Sequence, residues 1–307
     1  MEKRNYIILF ITLYILNAII ISIILAPIDL EIVIFWSEQN ISGSFLDKIT
    51  FFMNRSMFDG DGFGGQDVSY ILMIISLIVY PISFIKPIKE RMKSMRMYSG
   101  FLIAVGLTQT IIGRAFKAIF ARVRPYQVVD DHSLYSPMWT FGNYSIEDAI
   151  SKGSFISGHT MTAIYLISFA FFMIKTHKPW KIIISFLISI TWAILMGFSR
   201  VVDVKHYPSD VFWSMVIGIA MVIWLYFVVF NIPKRESGEL NQYEKGEEFR
   251  WSLLFVIVTV LFAIVIISFR YIFLEIIYYQ PIYVVFCSIL GYFLIRRMKK
   301  LMTVLNT

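Results

Sequence analysis

Apolar runs long enough to cross a bilayer recur along this chain, and that single feature excludes most soluble architectures. A hydrocarbon core of roughly 30 Å needs about 20 consecutive apolar residues in a helix. Eight runs meet or approach that length: residues 6–26, 69–86, 98–119, 157–174, 181–198, 210–231, 251–269 and 280–296. Lipid offers backbone amides no partner, so each run must satisfy its own hydrogen bonds as a helix. The expected fold is all-α, a polytopic membrane helical bundle. Composition agrees: 58% of the residues are hydrophobic, 16% are charged, and the mean hydropathy is +0.70. The first run follows Glu2-Lys3-Arg4 in the manner of a secretory signal. It is longer than the roughly 7–15 apolar residues of such signals, and no small-residue cleavage site follows, so it is expected to remain as the first spanning helix.

The net charge of +7 does not form a nucleic-acid-binding tract. The cations fall in short clusters between apolar runs: Lys3 and Arg4; Lys86, Lys89, Arg91, Lys93 and Arg96; Lys175, Lys178 and Lys181; Lys234, Arg235, Lys245 and Arg250; Arg296, Arg297, Lys299 and Lys300. Successive helices place all five on one face, which the positive-inside rule makes cytoplasmic. The expected location is the cytoplasmic membrane, with both termini cytoplasmic and segments 27–68, 120–156 and 199–209 on the opposite side. Membrane lipids are the implied surroundings, and no protein partner or nucleic acid is implied. Cys287 is the single cysteine, so an intrachain disulfide is excluded. Proline, glycine and mixed charges at 232–250 divide a six-helix core, 1–231, from a two-helix C-terminal appendix, 251–307.

Several segments on the side opposite the basic clusters carry weaker signals. Leu30–Trp36 suggests a surface-lying helix. Asp59-Gly60-Asp61-Gly62-Phe63-Gly64-Gly65 resembles part of a calcium loop but lacks the closing glutamate, which favours a plain turn. Asn40, Asn54 and Asn143 begin glycosylation-type tripeptides. Tyr126–Phe155 carries Tyr135, Trp139, Phe141 and Tyr144, which suit either a lid over a site or an aromatic belt at the interface. Arg270 and Glu275 read as interfacial anchors or an exposed pair.

Three sets of residues carry chemistry. Arg114, Lys117, Arg122 and Arg124-Pro125 close the third run, and Lys117 and Arg124 are spaced as two turns on one helical face. They either snorkel to the interface or present an ammonium and a guanidinium fork to one anion. Ser157-Gly158-His159 opens the fourth run, as a helix cap with an interfacial histidine or as an anion-binding N-terminus with a proton donor. Ser199-Arg200, His206 and Asp210 close the fifth run and open the sixth; Asp210 is either a cap or the carboxylate that orients His206. By the charge-derived topology all three sets share one end of the bundle. Cations, two histidines and a carboxylate converging there describe a phosphate site. The lack of a carboxylate or cysteine cluster argues against a catalytic metal.

Lys117 with Arg124-Pro125, Ser157-Gly158-His159, and Ser199-Arg200 with His206 and Asp210 together resemble the three-part signature of the type 2 phosphatidic acid phosphatase superfamily. The order and spacing hold across about 95 residues. The likeness covers the six-helix core; Ile156 stands where the family's second motif usually begins with proline. The resemblance implies a lipid phosphate or diphosphate phosphatase that needs no metal or other cofactor. In that reading His206 is the nucleophile and becomes phosphorylated, Asp210 orients it, and His159 is the general acid. Lys117, Arg124, Ser157, Gly158 and Arg200 bind the phosphoryl group. Phosphatidate, phosphatidylglycerophosphate, polyprenyl diphosphate and lipid A are candidate substrates. A phosphotransferase using the same phosphohistidine is the near alternative; a transporter or an inactive binding relative is the alternative from another class, although transporter charges generally sit near the bilayer midplane.

Overall fold

The apolar runs fold as helices in a computed structural model that describes residues 3–142, 144–240, 247–274 and 280–306. In chain order these are α1 (Lys3–Glu38), α2 (Phe45–Asn54), α3 (Asp67–Ile82), α4 (Lys93–Phe120), α5 (Pro125–Asp130), α6 (Ile146–Lys152), α7 (Gly158–Ile164), α8 (Ile167–Met173), α9 (Pro179–Val202), α10 (Pro208–Trp224), α11 (Ile232–Glu236), α12 (Glu247–Leu274) and α13 (Gln280–Asn306). No strand occurs among the described residues. Seven helical stretches are long and apolar enough to cross a membrane, with α7 and α8 jointly making one, Gly158–Thr176.

The run expected at 69–86 is shorter than its hydropathy suggests. It forms α3, whose 16 residues rise about 24 Å. Turns follow from Ser83, and Pro87 disfavours a return to helix at Lys86. Leu30–Trp36 is not a separate surface helix. It continues α1 through Pro27, and this continuity turns Asp29 and Val33, one helical turn apart, inward; both are 0% exposed. Arg96 is buried as well, capping the turns after α3 by donating to the carbonyls of Ser83 and Lys89 at 2.8 and 3.1 Å. Lys245 lies outside the described residues.

Helix α4 is the central element, touching α3, α6, α7, α10 and α12, while α13 packs on α12. In lipid the apolar effect supplies no drive for helices to associate, so close packing through small residues must do so. Helix α4 buries Ser99, Gly100, Ala104, Gly113, Ala115 and Ala118. On α9, a Cβ at Gly197 would stand 2.2 Å from Val211 Cγ1 of α10, so that crossing requires glycine. Phe101, Tyr226, Phe171 and Phe230 fill the interior, with edge-on and tilted ring contacts of 4.9–5.9 Å. Cys287 is free and buried on α13.

One peripheral reading changes. Arg270 is not an exposed anchor: it is buried on α12 and donates from Nη1 to the Ala118 carbonyl and from Nη2 to the Gly142 carbonyl at 3.4 Å. Helix packing carries a long guanidinium stem inward that a hydropathy reading leaves outside. Glu275 and Asn143 lie outside the described residues. The Asp59–Gly65 segment is a turn; its neighbour Asp67 accepts from Ser56 Oγ, Met57 N and Gly64 N at 2.7, 3.0 and 2.8 Å.

Candidate active site

The site forms where α4 ends and α7 and α10 begin. Helix α4 stops at Phe120, Ala121 adopts a left-handed φ of 46°, and Arg124 is extended at the start of α5 with Pro125 in its first turn. Lys117 and Arg124 therefore do not share one helical face, as their spacing suggests; a chain reversal brings them together. Two backbone bonds hold the reversal: Gly142 N donates to Phe120 O at 2.7 Å, and Ser154 N to Arg122 O at 2.9 Å. A Cβ at Gly142 would stand 2.2 Å from the Ala121 carbonyl oxygen, so this strand of loop can approach only as glycine.

A cavity of about 460 Å³ opens beside this reversal, lined by Lys117, Arg124, Gly158 and His159 together with Arg114. It extends between α3, α4 and α7 as far as Met73, Gly106 and Tyr165. Half of the expected site residues thus share one cavity. Ser157, Arg200, His206 and Asp210 are buried and do not line it. Ser157 caps α7, accepting from Thr160 N and Thr160 Oγ1 at 3.4 and 3.0 Å.

His206, 1% exposed, sits in the turn between α9 and α10. Burial first, then the positive charges of Lys117, Arg200 and Arg124, hold its imidazole well below the ordinary histidine range. Burial and the three positive charges both favour the neutral ring. Asp210 caps α10 and stands beside His206. Its Oδ2 accepts from Tyr207 N at 3.0 Å and so caps α10, and it stands 3.5 Å from His206 Nδ1. That separation is long for a hydrogen bond. Ser154 bridges it: the Ser154 hydroxyl donates to Asp210 Oδ2 and lies 3.4 Å from His206 Nδ1.

Sequence reasoning missed Ser154 and Asp29, named Arg122 among the cations without giving it partners, and named Asn54 only as a glycosylation-type position. Arg122, 1% exposed, donates to Asp210 Oδ1 and to Asp29 Oδ2 at 2.8 and 2.9 Å and to the Ser136 carbonyl at 2.9 Å. Its guanidinium carbon stands 3.7 Å from the centre of the Tyr207 ring, a contact that adds to ion pairing where water is excluded. Asp29, from α1, also accepts from Ser209 N at 2.9 Å. A carboxylate within an apolar run was the available signal for it. Asn54, at the end of α2, accepts from Arg200 Nη1 at 2.8 Å and donates to Asp203; with both ends of its amide bonded, it is no exposed acceptor for a glycan. Arg200 Nε is buried and has no hydrogen-bond partner among the described residues.

Aromatic rings cover this end. Trp139 lies 4.6, 5.3 and 5.4 Å from Trp213, Phe155 and Phe120, and Tyr135 lies 5.7 Å from Tyr207. Ile156 is fully buried, and the Phe155-Ile156 peptide bond is cis. No cluster of three or more His, Cys, Asp or Glu side chains suited to a metal ion occurs among the described residues.

Comparison with known proteins meets this geometry from outside. A family model described as PAP2 superfamily matches residues 97–234, a span that includes all eight expected site residues. A lipid A 1-phosphatase of Porphyromonas gingivalis is 26% identical over 121 residues, covering 37% of this chain and 26% of that protein. The chain thus spans only about a quarter of the length of that curated relative. No solved structure matches. The matched span runs from within α4 into α11, a little under half of the chain, and holds the cations and both histidines of the site; over that span the chain is similar to the PAP2 superfamily.

Proposed function

We propose that this protein is a lipid phosphate phosphatase working through a phosphohistidine on the extracytoplasmic side of the cytoplasmic membrane. The observation that carries this reading is a buried His206 beside Ser154 and Asp210, its imidazole disfavoured as a cation by the charges of Lys117, Arg200 and Arg124, two of which line a cavity that reaches along α3 and α4. His206 attacks phosphorus; an N–P bond forms as the P–O bond to the lipid breaks, and His159 gives its proton to the departing oxygen. Water then breaks the N–P bond and releases inorganic phosphate. Lys117, Arg124, Arg200 and the Gly158 amide stabilise charge on the transferring group, which is mainly electrostatic preorganisation. Ser154 and Asp210 fix the imidazole, and Ser157 supports the turn into α7. The basic clusters at the other end of α4, α8 and α10 support the proposed orientation.

Phosphate release from a panel of lipid phosphates in detergent micelles, with EDTA and without any lipid acceptor, tests the reading. Release is expected under both conditions. A strict requirement for a divalent cation, or phosphate appearing only on an added acceptor, contradicts it.

The charge around His206 gives a pH prediction. Its depressed pKa places the acid limb of kcat/KM below pH 6.5, because only the neutral ring attacks. Lys117→Gln removes a neighbouring positive charge, makes protonation of the ring easier, and is expected to move that limb upward toward 6.5 in the residual activity. A limb that stays in place or moves down counts against His206 as the titrating nucleophile.

A further inference from the structure

The C-terminal helix pair meets the core where α12 packs on α4, and one side chain of that contact reaches the site. Arg270 is buried near the end of α12, in an apolar run where a guanidinium is costly unless its donors are matched. Its Nη1 donates to the Ala118 carbonyl, and its Nη2 to the Gly142 carbonyl at 3.4 Å. Ala118 follows Lys117 in the last turn of α4, where carbonyls lack helical partners and the helix dipole favours a cation. Gly142 is the residue whose amide closes on the Phe120 carbonyl at 2.7 Å. One planar guanidinium therefore spans both arms of the chain reversal, and the Phe141 ring of the same loop lies 5.6 Å from its central carbon.

That reversal is what separates Lys117 from Arg124. Ala121 holds a left-handed φ of 46° without being glycine, a conformation that local sterics disfavour. Contacts from elsewhere in the chain must hold it. Gly142 N and Ser154 N supply two of them from within the matched span of residues 97–234. Arg270 adds two more from outside that span, and its fork geometry suits a pair of carbonyls better than a single ammonium would.

We propose that Arg270 is a positioning residue: from the C-terminal helix pair it fixes the reversal after α4, and through it the placement of Lys117 and Arg124 around the phosphoryl group. The role given to those two cations rests on the phosphatase reading above. In the full chain, Arg270→Met is expected to raise both KM for a lipid phosphate and the inhibition constant of inorganic phosphate by roughly tenfold, the scale of losing hydrogen bonds from a charged group. Hydrogen exchange read by mass spectrometry should rise in peptides covering Ala118–Arg124 and Gly142. Arg270→Lys keeps the charge without the fork, and smaller shifts in the same direction are expected; should Arg270→Met not assemble, both readings are taken on this variant. Phe255→Ala is the control for general loosening of the helix pair. Phe255 packs 5.1 Å from Trp224 of α10 and stands about 22 Å along α12 from Arg270, so its loss should lower the thermal midpoint while phosphate inhibition and exchange at the reversal stay at wild-type values. Unchanged phosphate inhibition or unchanged exchange in the Arg270 variants overturns the proposal, as do equal shifts in Phe255→Ala. A wild type that neither hydrolyses lipid phosphates nor binds inorganic phosphate overturns the phosphatase reading instead, and exchange alone then decides whether Arg270 holds the reversal.

Discussion

His206→Ala is expected to reduce phosphate release by on the order of 10⁴-fold or more, the scale of losing a nucleophile that acts as one unit with its supporting groups. The loss should appear in kcat, since Lys117, Arg124 and Arg200 still bind the phosphoryl group. The His206 side chain makes only long polar contacts, 3.4 Å to Ser154 Oγ and 3.5 Å to Asp210 Oδ2, so its removal should leave the helices assembled. His206→Gln fills the same space without nucleophilic nitrogen and should be equally inactive, which separates lost chemistry from lost packing. Brief reaction with radiolabelled lipid phosphate, quenched in alkali, should leave acid-labile label on the wild type and none on either variant. Turnover retained by His206→Ala, or label on another residue, would sink the assignment of the nucleophile.

The helices were legible because a membrane leaves apolar runs few alternatives. The spacing of Lys117, Arg124, His159, Arg200 and His206 was legible because chain order preserves it. The assembly of the site was not. Helical periodicity carried from Lys117 to Arg124 assumes an unbroken helix, and the left-handed turn at Ala121 breaks it. Leu30–Trp36 looked like a surface helix because local hydropathy cannot show that Asp29 meets Arg122, 93 residues later. Arg270 looked exposed for the same reason, since its acceptors at Ala118 and Gly142 are 152 and 128 residues away. Apolar faces toward lipid and toward protein are written in the same residues. Only polar partners distinguish them, and those partners are distant in the chain.

The Asp29–Arg122–Asp210 chain gives the second large effect, in stability as well as rate. Two buried carboxylates share one guanidinium, and deleting one member of such a set leaves uncompensated buried charge at a cost of about 3–5 kcal/mol. Arg122→Met should therefore lower the thermal unfolding midpoint strongly and reduce kcat more than it raises KM, because Asp210 and Ser154 lose the anchor that fixes His206. Arg122→Lys keeps the charge but not the fork that spans both carboxylates, and should restore stability only in part. Asp29→Leu with Arg122→Met should be less destabilised than Arg122→Met alone, since one orphaned carboxylate is then gone and the pair is coupled rather than additive. The first helix lies outside the matched span of residues 97–234, so this coupling measures how far the site extends beyond it. Additive losses in the double variant, or an Arg122→Met protein with unchanged kcat, would show that α1 packs against the site without holding it in register.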